Sequence, residues 1–324
     1  MKRTFPSRSE LTMLSAAITL LGLSVNASAQ SSPDELLDRM NDVVNTIDFE
    51  GTVFRRENGE SEALRIVRKI IDGVINERLV SQEGNGLEII RIGNEVHCIL
   101  PDKQTVLIEE WANQSTLFSS LPSSEIRYGA QYDVAIIRED RVAGRRAIML
   151  AIRPHDNFRY AHRLWLDEET SFPLKTEIVS QDGELIEQIK FAEIEIGDGI
   201  SKESLAPSMS LANYSWFTQP EHYASAEVET SWQSSDLPPG FKATSTTTEQ
   251  MPGAANPVTH IVYSDGLAMV SVFIAEAADA PLAGTSNVGA ANTYSVLRDG
   301  FQVTAVGEVP AATVQRIATS MQQN

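Results

Sequence analysis

The spacing of apolar residues changes period along the chain. Leu36, Met40, Val43 and Ile47, with Leu37 and Val44 beside them, recur at helical spacing. In front of them Ser32-Pro33-Asp34-Glu35 supplies a capping serine, a first-turn proline and a glutamate three residues after the cap, so one amphipathic helix is predicted. From Phe49 the period falls to two. The runs TVFRR, ALRIVRKI, VINERLV, LEIIRI, EVHCIL and TVLIEE are strand-length and rich in Val and Ile, and ENGES, DG, EGNG, GN and PDK separate them. That alternation predicts a long antiparallel meander and not βαβ units, and no glycine-rich phosphate loop interrupts it.

The alternation pauses at WANQSTLFSSLPSSE (111–125), which is expected to fold back over the sheet as a loop or short helix. Strands resume in QYDVAIIRED, AIMLAIRP and RYAHRLWLD, with VAGR (142–145) as a hairpin turn. In LIEQIKFAEIEIG the apolar residues change face near Ala192, from Ile189 and Phe191 to Ile194 and Ile196, which predicts a bulge. After Ile200 the composition turns to Ser, Pro and Ala, read as a linker over 206–224. A second unit follows over 225–324, with strands, a flexible loop at 276–292 and a final helix near Pro310 that carries Val314, Ile317, Ala318 and Met321. The expected fold is α+β, mainly antiparallel β. A large curled sheet with covering helices (30–205) precedes a smaller αβ domain.

Residues 1–29 are expected to be a signal peptide. Lys2, Arg3 and Arg8 precede the apolar run MLSAAITLLGLSV, and Ala27-Ser28-Ala29 is a small-residue cleavage site. The run is too short for a membrane helix, so export from the cytoplasm is the reading. Without Lys2, Arg3, Arg8 and Glu10 the formal charge moves from −18 to −20, which argues against nucleic acid as a partner. Cys98 is the single cysteine, so no internal disulfide forms, and its strand-like setting predicts a buried, inert thiol.

The most acidic stretch, RLWLDEETSFPLKTEIV (163–179), holds Asp167, Glu168, Glu169 and Glu177. Its DEET reads as a hairpin tip open to water. An acid/base carboxylate needs burial or a charged partner, so the segment is taken as scaffold. The five histidines show no metal-ligand spacing, no nucleophile elbow is present, and YSDGL (263–267) reads as a turn. Asp156 and His162 could meet across two strands, yet no nucleophile stands beside them. No catalytic residue, metal or cofactor is therefore expected. Two features fit binding better: Trp111, Leu117 and Phe118 for an apolar pocket, and Arg141, Arg145 and Arg146, beside Arg138, for an anionic ligand or acidic partner. Tyr214, Trp216 and Phe217 stand near the domain junction, as inter-domain packing or a contact surface.

DRVAGRRAIMLAIRPHDNFRYAHRLWLDEETSFPLKTEIV (140–179), LPPGF (237–241), YSDGL and VGEVPAATVQRIATSM (306–321) resemble, in order and spacing, the RseB/MucB family of periplasmic regulators of the envelope-stress sigma factor. The resemblance implies a first domain shaped like the lipoprotein carriers LolA and LolB, and a periplasmic location. It also implies binding to the periplasmic part of a membrane-spanning anti-sigma factor (RseA- or MucA-like), shielding of that factor from the site-1 protease, and release by lipid A or LPS-type material. A lipid or lipoprotein carrier handling acyl chains is the alternative. Whether the chain forms a homo-oligomer stays open.

Overall fold

The computed structural model describes residues 31–57, 59–110, 116–118, 121–122, 130–218, 226–249, 256–277 and 283–323. The expected signal peptide and Trp111 lie outside them. Helix α1 (Pro33–Thr46) opens the described chain with the reciprocal cap read from the sequence: the Glu35 amide donates to Ser32 Oγ (3.2 Å) and the Ser32 amide to Glu35 Oε2 (3.0 Å). Leu36, Leu37, Met40 and Val44 form its buried stripe, each contributing roughly 1.5–3 kcal/mol through removal from water.

The meander follows as β1 (Phe49–Glu57), β2 (Glu60–Ile71), β3 (Val74–Ser81), β4 (Glu88–Ile92), β5 (Glu95–Leu100) and β6 (Thr105–Glu110). It resumes as β7 (Tyr132–Val142), β8 (Arg145–Pro154), β9 (Ala161–Asp167), β10 (Pro173–Val179) and β11 (Leu185–Ile196). One sheet holds them in the order β6-β5-β4-β3-β2-β1-β11-β10-β9-β8-β7, antiparallel throughout. Its core joins α1 to side chains from strands as far apart as β3 (Leu79) and β7 (Tyr132, Val142), which requires the sheet to curl around the helix. The predicted bulge is present. Thr52 pairs with Glu193 and Val53 with Phe191, leaving Ala192 unpaired, so Phe191 and Ile194 both face inward. Gly51 sits at this kink, where a Cβ would lie 2.4 Å from the Glu193 carbonyl oxygen.

Inside the curl, Phe172 from the turn before β10 meets Phe49 (4.7 Å between ring centroids), Phe191 (5.9 Å) and Phe118 (6.0 Å). Not all of the inner face is apolar. Arg68, Glu77 and Arg91 are cross-strand neighbours on β2, β3 and β4, all buried, at 3.7 and 3.6 Å, and Arg68 also donates to the Val44 carbonyl near the end of α1. Burial pulls the Arg68 guanidinium below its ordinary pKa while Glu77 acts to hold it charged.

The stretch after Ile200 is not free chain. Glu88, buried on the outer face, pairs with Arg78 and accepts from the Ser208 amide and hydroxyl, while Arg78 also reaches the Ser204 carbonyl (3.1 Å). Met209, Leu211 and Tyr214 then cover Ile90, Ile99 and Val106. Strand β12 (Ser215–Thr218) adds in parallel to β6, making a twelve-stranded sheet.

The second domain is a sheet of β13 (Ala226–Glu227), β15 (Lys242–Glu249), β16 (Val258–Ser264), β17 (Met269–Glu276), β18 (Gly284–Val288), β19 (Ala291–Arg298) and β20 (Phe301–Gly307), ordered β13-β15-β16-β17-β20-β19-β18. Helix α2 (Ala311–Ser320) starts after Pro310, as predicted, and buries Val314, Ile317 and Ala318, but Met321, expected on the helix, lies in the strand that follows it. A two-stranded ribbon of β14 (Trp232–Ser234) and β21 (Met321–Gln323) ties the end of the domain to its beginning. The expected loop at 276–292 is corrected over 284–288, which form edge strand β18 paired to β19. Its residues GTSNV carry weak strand propensity and every one is exposed, so register with β19 and not local pattern orders them. Among the described residues no helix is long and apolar enough to cross a membrane.

Candidate functional site

Most of the polar contacts between the two domains come from the loop between β8 and β9, PHDNFRY (154–160). Asp156 folds it by accepting from the Phe158 amide (2.9 Å). That turn presents Arg159, whose side chain is fully buried. Its guanidinium pairs with Asp156 and with Asp265 of the second domain and donates to the Pro239 carbonyl, and it lies 5.0 Å from the Phe241 ring. Asp265, 1 % exposed, is filled from several sides: Tyr132 Oη donates to it (2.8 Å), as do the amides of Leu267 (3.0 Å) and Ala268 (2.8 Å). Burial first, and the Asp265 charge second, push the Tyr132 phenol far above its ordinary pKa, so it stays a donor. On the loop's other flank, Thr313 Oγ1 donates to the Phe158 carbonyl (2.8 Å), Asn292 Nδ2 to Tyr160 Oη (3.0 Å), and Arg316 stacks on the Phe158 ring (4.6 Å).

Beside this clasp, first and second domains together line an open cavity of about 660 Å³. Phe118, Leu121, Tyr132 and His162 form one wall; Leu267, Met269, Phe273 and Val306 stand opposite. A smaller hollow of about 20 Å³, room for one water, adjoins it between Phe118, His162, Glu187 and Ile189. Two titratable groups here are displaced in opposite senses. Burial lowers His162 to about 4, with Asp265 acting against it. Burial, then the neighbouring Glu308 carboxylate, raises Glu187 to about 7. Near pH 7 the imidazole is neutral and Glu187 is half-protonated, facing Glu308 across the seam.

Of the residues singled out for an apolar pocket, Leu117 and Phe118 are buried in the first domain's core and Phe118 also walls both hollows. Arg145 grips Asp167 with two hydrogen bonds (2.6 and 3.1 Å) and reaches Glu169 (3.2 Å), Arg146 pairs with Glu168, and Arg141 turns back to the Gly144 carbonyl. The acidic tip therefore neutralises Arg145 and Arg146, whereas Arg141 is held by a backbone carbonyl. One expectation for that tip is corrected. Asp167 is not open to water but 2 % exposed, and although burial acts to raise its pKa, Arg145 and the Thr170 amide and hydroxyl hold it below the usual range. It is an anchored structural carboxylate. Tyr214 packs on the outer face of the first sheet, whereas Trp216 and Phe217 on β12 are about half exposed, at 48 and 56 %. Asp156 is committed to Arg159, so it forms no dyad with His162. Among the described residues no cluster of His, Cys, Asp or Glu could hold a metal ion.

Sequence reasoning passed over Arg159 and Asp265, although both stand in the motifs RPHDNFRYAHRLWLD and YSDGL. An arginine beside an Asx turn and an aspartate opening a tight turn were available signals. Their meeting, 106 residues apart, was not.

Fold and seam define a class: a two-domain binding protein whose modules are clasped around a shared cavity. The chain belongs to the MucB/RseB family. The family's N-terminal domain matches residues 32–209 and its C-terminal domain residues 226–322. The chain is 30 % identical over 313 residues to the sigma factor AlgU regulatory protein MucB of Pseudomonas aeruginosa, covering 94 % of this chain and 96 % of that protein. It is 26 % identical over 310 residues to the sigma-E factor regulatory protein RseB of Escherichia coli K12, covering 92 and 93 %. Among solved structures it resembles the MucA/MucB complex of P. aeruginosa, with a TM-score of 0.70, 29 % identity and coverage of 91 % of this chain and 99 % of that one.

Proposed function

We propose that the chain is an exported, periplasmic negative regulator of an envelope-stress sigma factor. It binds the periplasmic part of a membrane-spanning anti-sigma factor and shields it from the site-1 protease. Lipid A or LPS-type material releases the complex. The observation that carries the reading is the Arg159–Asp265 clasp beside a cavity of about 660 Å³ lined by apolar side chains of both domains. A ligand entering that cavity touches both domains, so it binds differently to clasped and unclasped arrangements. Only such a difference lets it alter affinity for a protein partner. Family membership, and a solved relative described as a complex with MucA, support the partner class.

The test is proteolysis of the anti-sigma periplasmic fragment with and without this protein. Slower cleavage, restored by lipid A, is expected; equal rates with and without the protein refute the proposal. The alternative, a lipid carrier, predicts lipid transfer that survives removal of 225–324, because a carrier needs no second domain.

A further inference from the structure

The outer face of β7–β10 carries a second hollow, of about 740 Å³. Register explains its shape. Arg138, Met149, Trp165 and Lys175 are cross-strand neighbours and form one row across the four strands. Two residues along β8 and β9, on the same face, come Ala151 and Arg163, and two further on Arg153 and Ala161. The alanines add no bulk beyond a methyl to a floor they share with Met149 and Trp165, and the long basic residues stand around it.

This floor is apolar and recessed: Met149, Ala151 and Trp165 are 6, 5 and 4 % exposed. The rim is cationic in a chain of charge −18. Glu177 is shared by Arg163 (3.3 Å) and Lys175 (2.6 Å), Lys175 also lies 3.9 Å over the Trp165 ring, Arg138 meets Asp140 (3.0 Å), and the other lining acid, Asp156, is taken by Arg159. Arg153 is exposed, and its cross-strand neighbour Asp133 is engaged by His155 (3.0 Å). From Arg153, past Ala151 and Met149, to the row of Arg138 and Lys175 is four residues of strand, roughly 13 Å.

We propose that this groove binds an extended acidic peptide segment of a protein partner, in which two carboxylates four residues apart flank an apolar side chain. In an extended chain, residues i, i+2 and i+4 point the same way, and i to i+4 also spans roughly 13 Å. One carboxylate meets Arg153, the apolar side chain sits on Ala151 against Trp165, and the second carboxylate meets Arg138 or Lys175. A lipid surface fits worse, because the apolar atoms lie at the bottom of the groove and not on a protruding loop a bilayer could reach. The partner's identity plays no part, so the protease experiment above can succeed or fail independently.

The test uses fluorescein-labelled peptides repeating Glu-Ser-Leu-Ser-Glu, titrated with the full chain at low ionic strength and read by anisotropy. Binding is expected, weakened about tenfold by Arg153→Glu or Arg138→Glu and abolished by Ala151→Trp, and lost for the Gln-Ser-Leu-Ser-Gln and Glu-Ser-Ser-Ser-Glu controls. Circular dichroism verifies that each variant is folded. Absence of binding by the wild type, or variants that bind as it does, overturns the proposal. So does capture of phosphatidylglycerol vesicles in place of the peptide, or self-association in sedimentation that Arg153→Glu removes.

Discussion

Glu187→Gln isolates one buried group at the seam. The Glu187 carboxyl moves from 4.5 to about 7 on folding, driven by burial and then by Glu308. At roughly 1.4 kcal/mol per pH unit, that displacement amounts to about 3 kcal/mol. Below pH 4.5 both folded and unfolded chains hold the proton and the group contributes no pH dependence. As pH rises from 4.5 to about 7 the unfolded chain releases it first, so stability falls by that amount and stays lower above it. His162 does the opposite. Its pKa drops from 6.5 to about 4, the unfolded chain binds the proton more tightly, and stability rises by a similar amount between pH 4 and 6.5. The two slopes nearly cancel in the wild type. Glutamine keeps the shape and removes the titration, so Glu187→Gln should gain about 3 kcal/mol over the wild type at pH 8 and almost nothing at pH 4. Urea unfolding followed by circular dichroism at several pH values gives the difference. A stability difference that does not change between pH 5 and 8 would refute the assignment.

Arg159→Ala strands Asp265 in the seam and should cost about 3–5 kcal/mol in urea unfolding, with Arg159→Met/Asp265→Leu recovering most of the loss; additive single effects would mean the pair is not coupled. Gly51→Ala must push a Cβ against the Glu193 carbonyl and should lower stability by about 2 kcal/mol, so an unchanged melting temperature would show the bulge to be compliant. Burial, then Glu109, pushes the Cys98 thiol up to about 11, so thiol reagents at pH 7.5 should label the native chain far more slowly than the chain in urea.

The clasp also bears on how the two domains communicate. Loop 154–160 is held by 239–241 and 265 on one flank and by 292, 313 and 316 on the other, and Asp265 also holds Tyr132 of the cavity wall. The paired carboxylates Glu187 and Glu308 add a repulsive element at the same seam, which grows as Glu187 ionises.

Periodicity alone determined the inward or outward direction of most side chains. It placed α1 and its cap, the eleven antiparallel strands from β1 to β11, the bulge at Ala192 and helix α2, because each depends on backbone geometry repeated within a few residues. It also marked the acidic tip at 167–169 as scaffold, though not the burial of Asp167. Tertiary structure decided the rest: β12 against β6, Glu88 tethering 204–208, the Arg68-Glu77-Arg91 row, the Arg159–Asp265 clasp, and an outer hollow over Ala151 and Ala161. The β12–β6 pairing, the Glu88 tether and the clasp join residues more than a hundred positions apart, and the other two depend on the register of adjacent strands. Local alternation states which face a residue occupies, but only the curl of the sheet and its strand register fix which distant residue shares it.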